Sequence, residues 1–476
     1  MLTLSLIQII NDFIIMLTVE KIGGTSMSKF QDVFKNIIIG DRKEGDHFNR
    51  IFVVSAYNNV TNWLLEHKKT GEPGIYSQFL NDENFNESLN SLTEKLIQIN
   101  RTFSDIGLDQ EEADQFIIGR IDQARNYLNS MADVLGSGYI NRQNILLAAR
   151  EILSSIGEAH SAFNSVNIIN NNGIHATFVD LCGFQDPDYL TIDQRIKKAF
   201  SGLDFSNTLC IATGYTKGTE GIMREFDRGY SEVTFSKIAV EVKADEAIIH
   251  KEYHLSSADP AIVGVDKSIP VGFTNYNVAD QLADVGMEAI HPKASKPIEV
   301  AGIKLRIKNT FEPGHAGTVI SKEYVSPESR IEIISGTDKV VAIDIHDPLM
   351  VGEVGFDLGI MEIFAKHRIS YILKSTSANS ISLVIWEDSD YPGLLKELES
   401  RYEKVTLARV AVVTALGSNI ARPGFLARAA RALFDRGVNI SAVSQSLAQV
   451  SIQFVIEREN FKEAIIALND ELCVIP

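Results

Sequence analysis

The sequence predicts an α/β protein: a large domain of buried strands alternating with helices, followed by a duplicated small α+β sandwich. Three observations predict it. A β-prone run, Leu17-Thr18-Val19, enters the glycines Gly23 and Gly24, and beyond Ser28 the residues Phe30, Val33, Phe34, Ile37 and Ile38 recur at helical spacing, which reads as strand, turn and helix. The run 50–56 has the continuous β-branched and aromatic character of a strand covered on both faces, and 208–214 reads as a further strand. From about residue 330 the elements shorten and repeat: Gly355-Phe356, a helix, Ile369-Ser370-Tyr371 and Ile381-Ser382-Leu383 are echoed by Gly424-Phe425, a helix, Val438-Asn439-Ile440 and Val450-Ser451-Ile452, at a constant offset of 69 (355 to 424, 381 to 450).

The first turn carries the most chemistry. Ser28 with Gln31 three residues on fits a capping box, so a helix is expected to start at Ser28 with its positive end facing the glycines. Such a turn can hold a phosphate against backbone N–H groups, with Lys21 adding a full charge; it can equally be a tight turn whose glycines only supply backbone freedom. The run 50–56 ends in Ser55 and leads through Tyr57-Asn58-Asn59-Val60-Thr61 to a helix. Ligands of open α/β sheets sit at strand carboxyl ends, which makes Ser55 and Thr61 candidate contacts, alongside the reading of turn and cap hydrogen bonds.

Residues 70–135 read as polar helices capping one edge of the sheet. A helix over 139–153 is expected to break at Ser155-Ile156-Gly157-Glu158, where Glu158 alone reads as an ordinary surface glutamate. After strands near 177–180 and 208–214 comes a small-residue turn with Tyr215. Arg228 and Glu232 flank a helix start before 234–242, suited to a carboxylate and a cation–phosphate complex, or to capping. A helix from about 278 to 287 ends near His291-Pro292, and 303–308 alternates as a half-buried strand.

Composition sets limits. The chain has 476 residues and a net charge of −17, with 45% hydrophobic and 22% charged residues. That describes an ordinary globular protein and excludes a general nucleic-acid surface, which needs clustered Lys and Arg. The 3 cysteines, Cys182, Cys210 and Cys473, show no metal spacing and fit buried positions in a reducing compartment. Residues 1–16 are apolar but lack a basic segment and are too short to span a bilayer. Two readings stand for them, a start at Met16 or an added N-terminal helix; the cytoplasm is the expected location, without membrane attachment.

Taken together, the motifs resemble the aspartate kinases. Lys21-Ile22-Gly23-Gly24-Thr25-Ser26 is similar to their Lys-Phe-Gly-Gly-Thr-Ser opening, Val53 to Leu65 to their Val-Val-Ser-Ala…Val-Thr-Asn-Leu-Leu segment, and Ser155 to Glu158 to Ser-x-Gly-Glu. Arg228 to Glu232 resembles Arg-Gly-Gly-Ser-Asp, Ile290-His291-Pro292 resembles Leu-His-Pro, and Asn309-Thr310-Phe311 onward resembles the close of the catalytic domain. Arg422 to Gln445 resembles the second of two ACT domains. The resemblance implies an N-terminal extension (1–16), a three-layer amino acid kinase (carbamate-kinase-like) domain over 17–325, and two tandem ferredoxin-like ACT domains over 330–405 and 406–476. It implies transfer of phosphate from ATP to L-aspartate with Mg²⁺, an amino-acid effector at the ACT pair, and a homodimer or larger homo-oligomer.

Residue by residue, the resemblance implies that Lys21, Gly23, Gly24, Thr25 and Ser26 face the ATP phosphates, and that Ser55, Thr61, Glu158, Tyr215, Arg228 and Ser231 hold aspartate. Lys21, Arg228 and Glu232 would carry catalysis, with no dedicated protein metal cage. Arg228 suits the α-carboxylate and Glu158 the ammonium. The departures are Tyr230-Ser231-Glu232 for Gly-Ser-Asp, His250 to His254 for Thr-Asp-Val-Asp-Gly, and Glu288 for a lysine; Lys251 or Lys293 is the expected substitute cation. The variant motifs look like the branch associated with ectoine synthesis. Ala378 after Thr376-Ser377 predicts weak lysine feedback. Two alternatives remain open: a related kinase with another acceptor, and a catalytically dead ACT protein that binds amino acids.

Overall fold

The computed structural model describes residues 16–43, 46–67, 70–226, 229–283, 285, 287 and 290–473. The chain forms two compact units, one of residues 1–254 and 291–317 and the other of 255–290 and 318–476.

The first unit is built on six strands: β1 (Thr18–Ile22), β2 (Arg50–Val54), β3 (Ala176–Val179), β4 (Leu209–Thr213), β5 (Glu246–Lys251) and β6 (Lys304–Asn309). They are parallel, in the order β3-β4-β2-β1-β5-β6. The β-branched run of β2 is buried along its whole length, as a parallel strand with both faces covered must be. Three long helices follow β2, α1 (Asn86–Arg101), α2 (Gln110–Ser137) and α3 (Arg142–Asn171), and α3 lies against β2, β3 and β4. Further on, α4 (Tyr230–Glu241) lies against β1, β2 and β5, and α5 (Pro292–Ala301) against α4.

Two local expectations change. The helical turn after β1 begins at Gly24, not Ser28: Ser28 closes Gly24–Met27, its Oγ donating to Gly24 O at 3.2 Å and accepting from Asn58 N at 2.8 Å. With its hydroxyl taken, Ser28 caps nothing. The expected break at Gly157 is absent, and α3 runs unbroken through it. This glycine is a packing residue, since an added Cβ would stand 2.6 Å from Ala56 Cβ.

The second unit holds β7 (Ile333–His346), β8 (Leu373–Thr376), β9 (Ser380–Trp386), β10 (Lys404–Leu416), β11 (Ile440–Ser444) and β12 (Ser451–Glu457) in one antiparallel sheet, ordered β8-β9-β7-β10-β12-β11. The repeat is visible in its helices: α6 (Phe356–Lys366) and α8 (Phe425–Asp435) each start after a glycine of positive φ, 93° at Gly355 and 109° at Gly424. With α7 (Pro392–Arg401) and α9 (Phe461–Leu472) they cover two cores. One gathers Val341, Ile343, Ile360, Leu383 and Leu394; the other gathers Ile334, Val413, Leu433, Phe454 and Leu468.

The boundaries differ from the expected 325/330 and 405/406 divisions. Residues 255–290 group with the second unit. β7 and β10 each run through both modules, so Ile334 at the start of β7 enters the core of the later module while Val341 and Ile343 enter the earlier one. Periodicity locates a strand but not the partner at each of its ends.

Candidate active site

The candidate residues gather at the carboxyl ends of β1, β2, β4 and β5, where parallel strands leave their following turns open to a ligand. Lys21 in β1 reaches Glu232 in the first turn of α4, Nζ to Oε1 at 3.5 Å. Glu232 also accepts the His291 N–H at 2.7 Å. Burial pushes the Glu232 carboxyl up, but the charges of Lys21 and Lys251, with the His291 N–H, hold it below the ordinary carboxylate range. Lys251, expected as a substitute cation, ends β5 within reach of this field, whereas Lys293 donates to Glu225 O at 3.2 Å and lies over the Phe226 ring.

The glycine turn borders this pair. Gly24 is required by space: a Cβ there would meet Ala56 O at 2.6 Å. Ser26, expected at the nucleotide, is fully buried, and its Oγ donates to Glu252 Oε1 at 2.9 Å and lies 3.2 Å from Thr310 Oγ1. Its hydroxyl ties the turn to the ends of β5 and β6.

The other half of the site centres on Glu158. It is not a surface glutamate: α3 carries it into the interior, 2% exposed. Tyr230 Oη donates to its Oε1 at 2.6 Å, while Oε2 is buried with no partner among the described residues. Burial pushes this carboxyl up to about 7, opposed by the Tyr230 hydrogen bond, then by the backbone N–H groups of Glu158 and Ala56, and least by the Lys21 charge. Ser55 and Ser231 meet beside it, Oγ to Oγ 3.3 Å, and Thr61 hydrogen-bonds Tyr230. Tyr215, expected at the substrate, donates its hydroxyl to Glu151 Oε2 at 2.7 Å, and its ring stands edge-on to Tyr230 at 5.9 Å. Arg228 and Glu288 lie outside the described residues.

Several participants were missed by sequence reasoning. Glu151 precedes Glu158 by two helical turns, a spacing that could have signalled a shared face. Tyr230 was read only as added bulk, and Glu252 only as a departure. Beneath the sheet, Glu20 forms a buried cluster with Arg50 (Nε to Oε1 2.6 Å, Nη2 to Oε2 3.1 Å) and His250 (Nε2 to Oε2 2.7 Å). Burial raises Glu20, but Arg50 and His250 outweigh it and hold the carboxyl well below the usual range. Burial lowers the His250 pKa, with its hydrogen bond to Glu20 and the Glu20 charge opposing that. Glu20 and Lys21, adjacent in an alternating strand, thus serve opposite faces.

The pattern of the amino acid kinase family matches residues 16–309, and that of the ACT domain matches residues 413–472. Aspartate kinase Ask_Ect of Stutzerimonas stutzeri (strain A1501) is 44% identical over 461 residues, 96% of this chain and 97% of that protein. The chain belongs to the aspartate kinases, within the amino acid kinase family. Aspartokinase 1 of Arabidopsis thaliana chloroplasts is 25% identical across 95% of this chain and 79% of its own length. Among solved structures, Clostridium acetobutylicum aspartate kinase shares the fold at TM-score 0.71 and 21% identity, covering 95% of this chain and 99% of its own. So does E. coli aspartokinase III, solved with aspartate and ADP, at TM-score 0.71, 18% identity, 96% and 100% coverage. Of the residues at which this aspartate kinase departs from the family motif, Tyr230 touches Glu158 and Glu252 touches Ser26. No helix among the described residues is long and apolar enough to cross a membrane.

Proposed function

We propose that the chain transfers the γ-phosphoryl group of ATP to the β-carboxylate of L-aspartate, giving ADP and 4-phospho-L-aspartate, with the roles divided between the two halves of the site. The observation that carries this reading is the pair of largely buried carboxylates, Glu232 held ionised beside Lys21 and Glu158 held near neutrality with an open oxygen, on either side of the Ser55–Ser231 contact. Glu158 receives the α-ammonium, which supplies the charge that lets it ionise, and Ser55, Ser231 and Arg228 receive carboxylate oxygens. The β-carboxylate is already ionised at neutral pH, so no general base is needed. Lys21 neutralises charge on the transferred group, and catalysis rests on positioning and electrostatics.

Among the described residues no three His, Cys, Asp or Glu converge into a metal cage. A single ionised carboxylate, Glu232, fits Mg²⁺ that arrives on nucleotide phosphates and keeps most of its other ligands from phosphate and water. When bound, Mg²⁺ would supply further neutralisation of the phosphates. Gly23, Gly24 and Thr25 supply backbone to the phosphates, and Lys251 adds positive charge.

Identity to a protein named Ask_Ect and the variant motifs support service in ectoine synthesis. The ACT pair supports an amino-acid effector and homodimerisation, and the absence of a spanning helix among the described residues is compatible with a cytoplasmic location. ATP- and Mg²⁺-dependent formation of aspartyl hydroxamate by the purified protein tests the activity; a folded protein that forms none with aspartate, but phosphorylates another acceptor or only binds amino acids, would overturn it.

A further inference from the structure

Tyr230 stands where the family motif has glycine, in the first turn of α4, and its side chain is buried against the acceptor half of the site. Its hydroxyl sits between two groups assigned to the substrate. It donates to Glu158 Oε1 at 2.6 Å and is hydrogen-bonded by Thr61. The ring is braced edge-on by Tyr215, whose own hydroxyl is anchored on Glu151 at 2.7 Å. Two Tyr–Glu pairs, 215–151 and 230–158, therefore stand two turns apart on α3. Of the two Glu158 oxygens, Oε1 has a fixed donor and Oε2 is buried with no partner among the described residues. A buried carboxylate oxygen without a donor is costly unless a ligand completes it.

We infer that Tyr230 is a positioning residue for acceptor recognition: its hydroxyl, shared between Thr61 and Glu158, fixes Glu158 Oε1 and reserves Oε2 for the α-ammonium of the amino acid acceptor. This rests on the reading that Glu158 binds that ammonium. The hydrogen bond favours ionised Glu158, so Tyr230 also makes the site easier to charge when substrate arrives. Among the described residues, the Lys21 charge from β1 lowers Glu158, and Glu158 in turn raises the Cys182 thiol in the segment after β3.

Tyr230→Phe keeps the ring and removes only the hydroxyl. With full-length protein, hydroxamate assays across pH 5.5–8.5 would give kcat, both KM values and the pH profile of kcat/KM for aspartate. The expected result is a KM for aspartate raised about tenfold, the KM for ATP unchanged, and the acid limb displaced to higher pH. An unchanged KM for aspartate, or a raised KM with an unmoved acid limb, would overturn the inference, since a space-filling role would not move the limb. Glu158→Gln separates the two levels of the reading. Wild-type KM for aspartate in Glu158→Gln would sink the ammonium assignment itself; a raised KM there with no effect of Tyr230→Phe would sink only the role of Tyr230.

Discussion

Glu158, midway along α3, and Glu232, in the first turn of α4, are both largely buried carboxylates, yet their protons are held in opposite ways. Two lysines face Glu232 and overcome its burial, whereas Glu158 has a phenol hydroxyl at hydrogen-bonding distance and rises to about 7. Burial is the largest influence on each, so the sign is set by whether a full countercharge stands beside it. The phosphate half of the site is charged in advance; the acceptor half is left for its substrate to charge. Glu20 provides a third case, buried like Glu158 but ionised because Arg50 grips it with two hydrogen bonds.

The largest effect should come from removing the charged half. Lys21→Ala is expected to lower kcat by about 10²–10³-fold in the hydroxamate assay, the scale seen when a preorganised electrostatic donor is lost. A variant retaining near-wild-type kcat would show that Glu232 and Lys21 only neutralise one another. Next in size, Arg50→Ala should leave the Glu20 carboxylate buried without its countercharge and lower unfolding stability by about 3–5 kcal/mol, measured by urea denaturation. Because the folded-state value of Glu20 is depressed, its contribution is present above the unfolded value of 4.5 and lost as pH falls through the folded one. The variant should therefore lose the acid-side decline due to this group.

A smaller effect separates the halves by pH. Glu158 is protonated below about 7, and the protonated acid cannot pair with an ammonium, so kcat/KM for aspartate should fall about tenfold per pH unit on the acid side. For ATP, whose phosphates meet groups already charged, KM should stay nearly flat over the same range; parallel profiles would erase the contrast. The smallest expected effect extends the same logic to the ACT pair. Ala378 is exposed in the turn after β8 and offers no carboxylate to a lysine ammonium, so lysine should cause only a marginal loss of activity. Tight lysine inhibition in a titration would show that another carboxylate takes that place.

Much of the first unit could be read from the chain because buried parallel strands announce themselves as apolar runs and strand–turn–helix boundaries as glycines. The repeat was legible for the same reason: Gly355-Phe356 and Gly424-Phe425 mark helix starts whatever packs on them. The hydroxyls were not legible. Ser26, Ser28 and Tyr215 were each assigned by position, and each is taken by a neighbour distant in sequence or by its own turn: Glu252, Asn58 and Gly24, and Glu151. A hydroxyl has one proton to give, and which acceptor receives it depends on the packing of elements that periodicity does not align.

The sequence by itself determined the alternation of strands and helices, the duplicated module, and the ordered motifs that mark an aspartate kinase, because these depend on residue type and local spacing. Tertiary structure alone decided that Glu158 is an interior group, that Tyr230 rather than solvent donates to it, that β7 and β10 are shared between two cores, and that residues 255–290 belong with the second unit. Protonation, burial and strand partnership are properties of pairs. They exist only once segments separated by tens to hundreds of residues are brought within a few ångströms of each other.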